Sequence, residues 1–101
     1  MSSRSIGRRG RVSVNEDVSA REFDREWVVL DLNGGNYYGL DELGGKIWQH
    51  LLEGLCPEEI ADRVGGGYAV ERSVLLDDII ALTDELLARG LVHTVEGSDR
   101  A

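Results

Sequence analysis

The chain has 101 residues, of which 42% are hydrophobic and 30% are charged, a composition typical of one soluble globular domain. Its formal net charge of −8 disfavours a nucleic-acid partner, because binding to a polyanion depends on neutralising phosphates with Lys and Arg. The single cysteine excludes an internal disulfide and suits a reducing cytoplasm, where we expect the protein to reside. No apolar run approaches the roughly 20 residues that cross a bilayer, so we expect no membrane partner.

The two ends of the chain differ in composition from its middle. Residues 1–11 contain four arginines and no acid, which leaves seven basic and 19 acidic residues, a net charge of −12, in the remainder. Because this stretch is rich in Ser, Gly and Arg without periodicity, it predicts a disordered basic tail, either a solvated terminus or an electrostatic contact for a partner. It lacks the apolar segment of a secretory signal. We predict residues 12–95 as the folded domain and residues 96–101 as a flexible C-terminal tail.

The first half of the domain predicts strands. Val12–Val14 can form a short strand, and residues 15–24 are polar enough to be a connection. Residues 27–32 and 37–40 predict a hairpin, because the Asn-Gly-Gly-Asn turn at Asn33–Asn36 accepts the positive φ angles of a tight turn. We expect the core side of this hairpin to be formed by alternate residues of each strand, namely Val28, Leu30 and Leu32 with Tyr38 and Leu40.

The second half predicts three helices and a β-type extension, at about residues 41–52, 57–64, 71–89 and 91–95. Asp41 can cap the first helix, and Pro57, followed by two acids, suits the start of the second. Glycines at Gly54, Gly65–Gly67 and Gly90 end the three helices in turn. The element order is therefore a strand, a hairpin, three helices and a closing extension.

The third helix carries more apolar surface than one packing partner needs. On a helical wheel its apolar residues cover an arc of roughly 160°, whereas an amphipathic stripe needs about 100° or somewhat more. The surplus is either a wider core contact or one wall of a groove that is open to solvent. Asp78, Glu85 and Arg89 lie on one edge of the arc, and Asp77 and Asp84 lie further round. These charges form either an ordinary solvated face or an acidic rim that suits a peptide with apolar anchors and basic neighbours.

The hairpin gives a second reason to consider a peptide ligand. A three-stranded sheet has two edges with unpaired backbone groups, and an open edge accepts another strand. If the 36–40 strand is an edge beside the third helix, main-chain hydrogen bonds give a peptide affinity and side-chain pockets give it selectivity. Gly39 fits such a site, because its missing side chain lets another backbone approach, although it can equally relieve crowding.

No constellation of catalytic or ligand-binding residues is visible in the sequence. Cys56 stands at a helix start, but neither His50 nor His93 has a local motif linking it to that thiol. We interpret all three residues as structural or solvent-facing. Gly65–Gly67 lacks the Lys-Ser/Thr that follows a phosphate loop. We therefore expect no catalytic residue, no metal site and no cofactor.

Several motifs occur together in an order characteristic of one family. The chain contains VVLDLNGGNYYGLDELGGKIWQHLLEG, then PEEIADRV, then Tyr68-Ala69-Val70, a long aliphatic helix and Gly90-Leu91-Val92. Across residues 12–95 this order and spacing resemble the PqqD-like family, the RiPP recognition elements that bind leader peptides of ribosomally made natural products. The length and the Tyr-Tyr-Gly-Leu strand look most like the separate leader-binding protein of lasso-peptide pathways.

The resemblance implies an α+β, winged-helix-like fold in which a three-stranded antiparallel sheet packs on three helices. It implies that the leader, anchored by a Tyr-x-x-Pro element, pairs antiparallel with the 36–40 strand in the cleft against residues 74–89. The leader-binding residues are then Asn36, Tyr37, Tyr38, Gly39 and Leu40 on the strand, with Leu75, Asp78, Ile79, Leu82, Glu85 and Leu86 on the helix. Asp41 departs from the pattern, since related proteins often carry Asn there, but both residues cap helices.

The same resemblance implies a non-catalytic protein that presents its precursor to a separate leader peptidase of the cysteine-protease type and then to a macrolactam-forming lasso cyclase. A winged-helix DNA-binding regulator is the alternative, because the same helix arrangement serves that role. Its recognition surface would carry several acids, which oppose binding to a duplex, namely Asp77, Asp78, Asp84 and Glu85. A small enzyme is a third alternative, for which the sequence offers no constellation.

Overall fold

The computed structural model of the chain describes residues 6–67 and 69–95. The strands and α-helices follow one another as β1 (Val12–Val14), β2 (Val18–Phe23), β3 (Glu26–Asp31), β4 (Asn36–Leu40), α1 (Glu42–Leu52), α2 (Pro57–Val64), α3 (Arg72–Ala88) and β5 (Val92–Thr94). Strands β2, β3 and β4 form an antiparallel sheet in that order, and β1 pairs antiparallel with β5. The predicted α+β class, a three-stranded antiparallel sheet with three helices, is confirmed.

The third strand of the sheet is β2, so the prediction of a connection at residues 15–24 was wrong. Its side chains alternate, with Val18 and Ala20 packed against the core and more polar residues between them, which makes the strand look like a loop in the sequence. The turn that joins β2 to β3 consists of Asp24 and Arg25, which both have positive φ. Two-residue hairpin turns of this geometry usually contain Asn and Gly. The Asp-Arg sequence lacks both residues, so the turn could not be predicted from the sequence.

The core side of β3 is the opposite of the one predicted. Val29 is fully buried, whereas Leu32 is 66% exposed and lies beyond the end of the strand. The register pairs Val29 with Tyr38 and Trp27 with Leu40, so these four side chains share the core-facing side. Tyr38 and Leu40 were assigned correctly, but the assignment of Val28, Leu30 and Leu32 to the core was wrong. Both faces of this strand are apolar, so alternation alone could not decide between them.

Helix ends follow their local signals. The carboxylate of Asp41 accepts a hydrogen bond from the Gly44 N–H at 2.7 Å and caps α1, as predicted. Helix α2 begins at Pro57, also as predicted, and the Glu59 carboxylate accepts the Cys56 N–H at 3.0 Å. Gly90, with a φ of +74°, follows the end of α3. The core lies between the sheet and the helices, and its fully buried members include Val29, Trp48, Leu51, Ile60, Leu75, Ile79 and Leu86.

Residues 6–11 are packed against the domain, in contrast to the predicted disordered tail. Ile6 is buried, and its N–H donates to the Asp84 carboxylate on α3 at 2.7 Å. Arg8 accepts the Glu58 N–H through its carbonyl at 3.0 Å. One apolar residue in a polar stretch produces no periodicity, which explains the wrong prediction. Residues 1–5, the C-terminal tail at 96–101 and Tyr68 of the family motif lie outside the described residues.

Arg11 joins the N-terminal segment to the helices and makes the fold acid-sensitive. Its guanidinium donates to the Glu59 carboxylate at 2.8 Å and to the Gly54 carbonyl at 2.6 Å. The hydrogen bond from Arg11, with a second one from the Cys56 backbone, lowers the pKa of Glu59 from 4.5 to about 2. A carboxylate with a depressed pKa in the folded state stabilises the fold above its ordinary pKa, and this contribution is lost as the pH falls.

We therefore expect the melting temperature to fall between pH 4.5 and pH 2 partly because Glu59 becomes protonated. Thermal denaturation followed by circular dichroism should show a shallower decline for Glu59→Gln than for the natural chain over this window. Glu22→Gln is the control, because the Glu22 carboxylate is exposed and makes no hydrogen bond or ion pair within residues 6–67 and 69–95. If the melting temperatures of the natural chain and of Glu59→Gln fell equally with pH, the stabilising role of the Glu59 carboxylate would be contradicted.

Candidate functional site

Strand β4 is an edge of the three-stranded sheet. It pairs with β3 on one side, and no strand among residues 6–67 and 69–95 pairs with its other side. The outward backbone N–H and C=O groups of such an edge are free to pair with an added strand. The sequence NYYGL contains no charged residue and no proline to block that pairing.

A cleft runs from the C-terminal half of β4 to α3. Its volume is about 540 Å³, and it is lined by Tyr38, Gly39, Leu40, Asp41, Leu43, Gly44, Ile47, Asp78 and Leu82. We call it the Leu40 cleft. Its apolar surface comes from β4, from the first turns of α1 and from Leu82, while the carboxylates of Asp41 and Asp78 lie on its border. The cleft therefore combines apolar pockets with an open strand edge.

A second cleft of about 320 Å³ lies at the N-terminal end of β4. It is lined by Asp31, Asn36, Tyr37, Tyr38, Arg89 and Leu91, and we call it the Arg89 cleft. The guanidinium carbon of Arg89 lies 4.6 Å from the centre of the Tyr38 ring, a cation–π contact. The Arg89 Nε also donates to the Glu85 carboxylate at 2.8 Å. Tyr38 borders both clefts, so together they form one groove along β4.

The apolar arc of α3 is divided between the core and two flanks. Leu82, Asp78 and Glu85 lie on the flank that faces the groove by helical spacing, and Leu82 and Asp78 line it. Asp84 lies on the opposite flank, where the Ile6 N–H bonds to it. Both interpretations of the wide arc therefore hold in part, since one flank packs against the chain's own N-terminal segment and the other borders the groove.

Three of the predicted helix residues do not border the groove. Leu75, Ile79 and Leu86 are at most 1% exposed and belong to the core, so their assignment to the groove wall is corrected. Their position on the wheel lies at the centre of the apolar arc, which is the part that packs most deeply. Asp78, Leu82 and Glu85 remain accessible, and their contact with a leader stays a prediction.

The predicted strand residues are distributed over the edge and the two faces of β4. Tyr38 and Leu40 point toward the core side, where Leu40 is buried and Tyr38 is half-buried. Tyr37 and Gly39 point to the outer face, and Tyr37 is 73% exposed. A side chain at Gly39 would meet nothing within 4 Å, so crowding within this chain does not require glycine there. The space beside Gly39 is available to a ligand.

Sequence reasoning missed seven residues of the groove, namely Asp41, Leu43, Gly44 and Ile47 in the Leu40 cleft and Asp31, Arg89 and Leu91 in the Arg89 cleft. Leu43 and Ile47 of α1 line the Leu40 cleft. Their separation of four residues places them on one helix face, and the cap at Asp41 fixes where that face begins. That spacing was the available signal, but spacing alone does not distinguish a groove wall from the core.

The outer face of the sheet forms a second accessible apolar surface. Leu30 and Val28 lie beside Tyr37 and Gly39 of β4, on the face opposite the buried Val29, and both are half-buried. Phe23, on the same side of β2, is 59% exposed. We call Phe23, Val28, Leu30 and Tyr37 the outer patch. Its exposed members, Phe23 and Tyr37, make the outer patch a candidate surface for contact with another protein.

The described residues provide little for catalysis. No group of three or more His, Cys, Asp or Glu among them is arranged to hold a metal ion. Cys56 is buried at the start of α2, and His50 pairs with Glu53 on α1. Within residues 6–67 and 69–95, no helix combines the length and the apolar character that a membrane span requires.

Comparison with known proteins places the groove in context. Residues 26–92 match the profile of the family described as Coenzyme PQQ synthesis protein D (PqqD). The structure "TbiB1 in Complex with the TbiA(beta) Leader Peptide" is similar, with a TM-score of 0.74 and 35% identity over 84% of this chain and 95% of that chain. The structure "Lasso peptide synthetase B1 complexed with the leader peptide" is also similar, with a TM-score of 0.76 and 30% identity over 82% of this chain and 98% of that chain. No curated protein sequence gives a significant match.

Proposed function

Because this chain belongs to the PqqD family, we propose that it binds the leader peptide of a ribosomally made precursor, most specifically of a lasso peptide. The two similar structures are both complexes with leader peptides, one of them of a lasso peptide synthetase B1, and their sequence identity to this chain is 30–35%. The observation that carries the proposal is the open edge of β4 beside a groove with apolar pockets. A winged-helix regulator is not favoured, since α3 and its C-cap carry four acids against two arginines, a balance that opposes binding to a duplex.

The leader adds to β4 as a fourth strand. The rest of the sheet is antiparallel, and antiparallel pairing is slightly more stable per residue, so the leader runs from the Leu40 end toward the Asn36 end. Alternate leader side chains then enter the groove toward Leu82 and Tyr38, and the others join the outer face. Each buried aromatic or aliphatic anchor contributes about 1.5–3 kcal/mol. Two or three anchors with strand pairing reach about −8 kcal/mol, which corresponds to micromolar binding.

Strand addition predicts an alternating dependence on the leader backbone. The probe is a labelled synthetic leader of the cognate precursor, which should bind with micromolar or tighter affinity in fluorescence anisotropy. N-methylation at each successive position should weaken binding at every second residue of a five- to six-residue segment, because only alternate N–H groups face β4. The loss at those positions should be roughly tenfold, since each methyl group removes a hydrogen bond and leaves its acceptor unpaired.

N-methyl groups at the intervening positions of the same segment are the matched control, because their N–H groups face solvent. A leader that tolerates methylation everywhere, or loses affinity uniformly, would rule out strand addition. An absence of binding by the unmodified leader would remove the proposed function itself.

The protein acts as a non-catalytic adaptor in the cytoplasm, and it presents the bound precursor to a separate cysteine-protease-type leader peptidase and then to a lasso cyclase. The family likeness supports this role, and so does the outer patch. Because a leader on β4 extends the sheet by one strand, its outward side chains lie next to Tyr37 of that patch. A peptidase that docks on the outer patch therefore contacts the protein and its bound leader together, which couples delivery to binding.

A further inference from the structure

The two ends of the groove carry opposite charges. Asp41 and Asp78 border the Leu40 cleft, and Arg89 borders the Arg89 cleft. Helix α3 therefore runs antiparallel to β4, with Asp78 near the C-terminal end of the strand and Arg89 near its start. From Asp78 to Arg89 the helix rises about 16 Å at about 1.5 Å per residue, which matches about five residues of an extended peptide.

Arg89 is held in position by two contacts. Its guanidinium lies over the Tyr38 ring, and its Nε bonds to Glu85. Among the described residues its terminal guanidinium nitrogens have no hydrogen-bond partner, so they remain available to a carboxylate of a ligand. Because Glu85 offsets part of the Arg89 charge, this end of the groove attracts a ligand carboxylate less strongly than an unpaired arginine would.

Asp78 gives the other end its charge. The residue is exposed, and its carboxylate makes no hydrogen bond or ion pair within residues 6–67 and 69–95. Asp41 uses one carboxylate oxygen to cap α1 but keeps its negative charge at the border of the cleft. A ligand cation between these two carboxylates is attracted by both, whereas a ligand acid there is repelled.

From these positions we infer that the groove selects a charge order in the bound peptide: a Lys or Arg near Asp78, followed four or six residues later by an Asp or Glu near Arg89. This inference rests on the proposed function, because it describes the peptide that occupies the same groove. The even spacing follows from side-chain alternation in a strand, and the order follows from antiparallel addition to β4. Asp78 and Arg89 are thus specificity-determining residues that favour one register and one direction.

The inference is tested with a display library of random linear 16-residue peptides, selected on the full chain and counter-selected on Leu82→Asp. Peptides that need Leu82 should be enriched in Lys or Arg on the N-terminal side of their apolar anchors and in Asp or Glu on the C-terminal side. Selection on Asp78→Lys should reverse the preference on the N-terminal side. Asp77→Lys is the matched control, since it makes the same charge change at the neighbouring, exposed position on another face of α3.

A selected peptide and its charge-swapped partner provide the quantitative test. On the natural chain, each swapped charge should weaken binding roughly two- to fivefold, the range of exposed ion pairs. On Asp78→Lys and on Arg89→Gln the corresponding penalty should disappear, and added salt should reduce it on the natural chain.

The outcomes separate this inference from the proposed function. Leu82-dependent peptides without a charge preference, or with the reversed order, would overturn the inference and leave the groove as a peptide site. A selection that yields no Leu82-dependent peptide would count against the proposed function as well.

Discussion

The substitution Leu82→Asp is expected to weaken leader binding at least tenfold while the domain remains folded. Leu82 is half-buried, and it is the apolar residue of α3 that lines the Leu40 cleft. Removing its contact with one leader anchor loses about 1.5–3 kcal/mol, which is roughly 10- to 150-fold in affinity. The new carboxylate would in addition be desolvated by a bound peptide. Fluorescence anisotropy with the labelled leader measures the loss.

Ala81→Asp is the matched control for this substitution. Ala81 is the neighbouring residue, it is exposed, and it does not line the groove, so the same carboxylate is added outside the proposed contact. It should bind the leader like the natural chain. Equal affinity of Leu82→Asp and Ala81→Asp would show that the leader does not use the groove.

The substitution Leu30→Asp is expected to separate leader binding from leader processing. Leu30 lies on the outer face of β3 opposite Tyr37, away from the groove. A carboxylate at the centre of the outer patch should abolish most of its apolar contact with a docked peptidase, and hot-spot residues at the centre of an interface lose about 2 kcal/mol or more on truncation. Cleavage of the precursor by the peptidase should therefore slow roughly thirtyfold or more, while the dissociation constant for the leader stays unchanged.

The measurement combines the precursor, the purified peptidase and each variant, with cleavage followed by mass spectrometry. Leu52→Asp is the control, because it places the same carboxylate at a leucine of α1 that is 54% exposed and is not part of the outer patch. The chain incubated with precursor alone should leave the precursor intact, as expected of an adaptor. Normal cleavage with Leu30→Asp would exclude the outer patch as the peptidase surface.

Local chemical signals allowed much of the fold to be predicted. The cap at Asp41 and the start of α2 at Pro57 are each set by residues within one helical turn, so the sequence indicated both. Strand β4 was located by the adjacent Asn-Gly-Gly-Asn turn, in which Gly35 has positive φ. Its position at the edge of the sheet, which the sequence left as a condition, is observed in the strand order.

The errors arose where long-range pairing decides the structure. Strand β2 is stabilised by β3 and by a two-residue turn without glycine, so its own sequence carried little signal. The register of β3 is fixed by its pairing with β4, which placed Val29 rather than Leu30 in the core. Ile6 is buried only because α3 and α2 offer bonds to the chain around it. No pattern within residues 1–11 contains that information.

The candidate site was predicted only in part, because burial of the α3 residues also depends on long-range packing. A helical wheel defined the apolar arc of α3, but it could not show which residues of the arc pack in the core. Leu75, Ile79 and Leu86 lie at the centre of that arc and are buried, whereas Leu82 lies at its margin and is accessible. The opposite margin is occupied by the N-terminal segment through Asp84. Only the three-dimensional arrangement separates these three environments.

The uncharged sequence of β4 has a consequence for the protein when no peptide is bound. Soluble proteins usually protect an exposed sheet margin with lysine, proline or a bulge, and Asn36–Leu40 has no lysine or proline. Two empty copies can therefore join margin to margin, in competition with the ligand, and the net charge of −8 provides the main opposition to this self-association. We therefore expect co-production with a leader to fill the margin and to reduce this self-association.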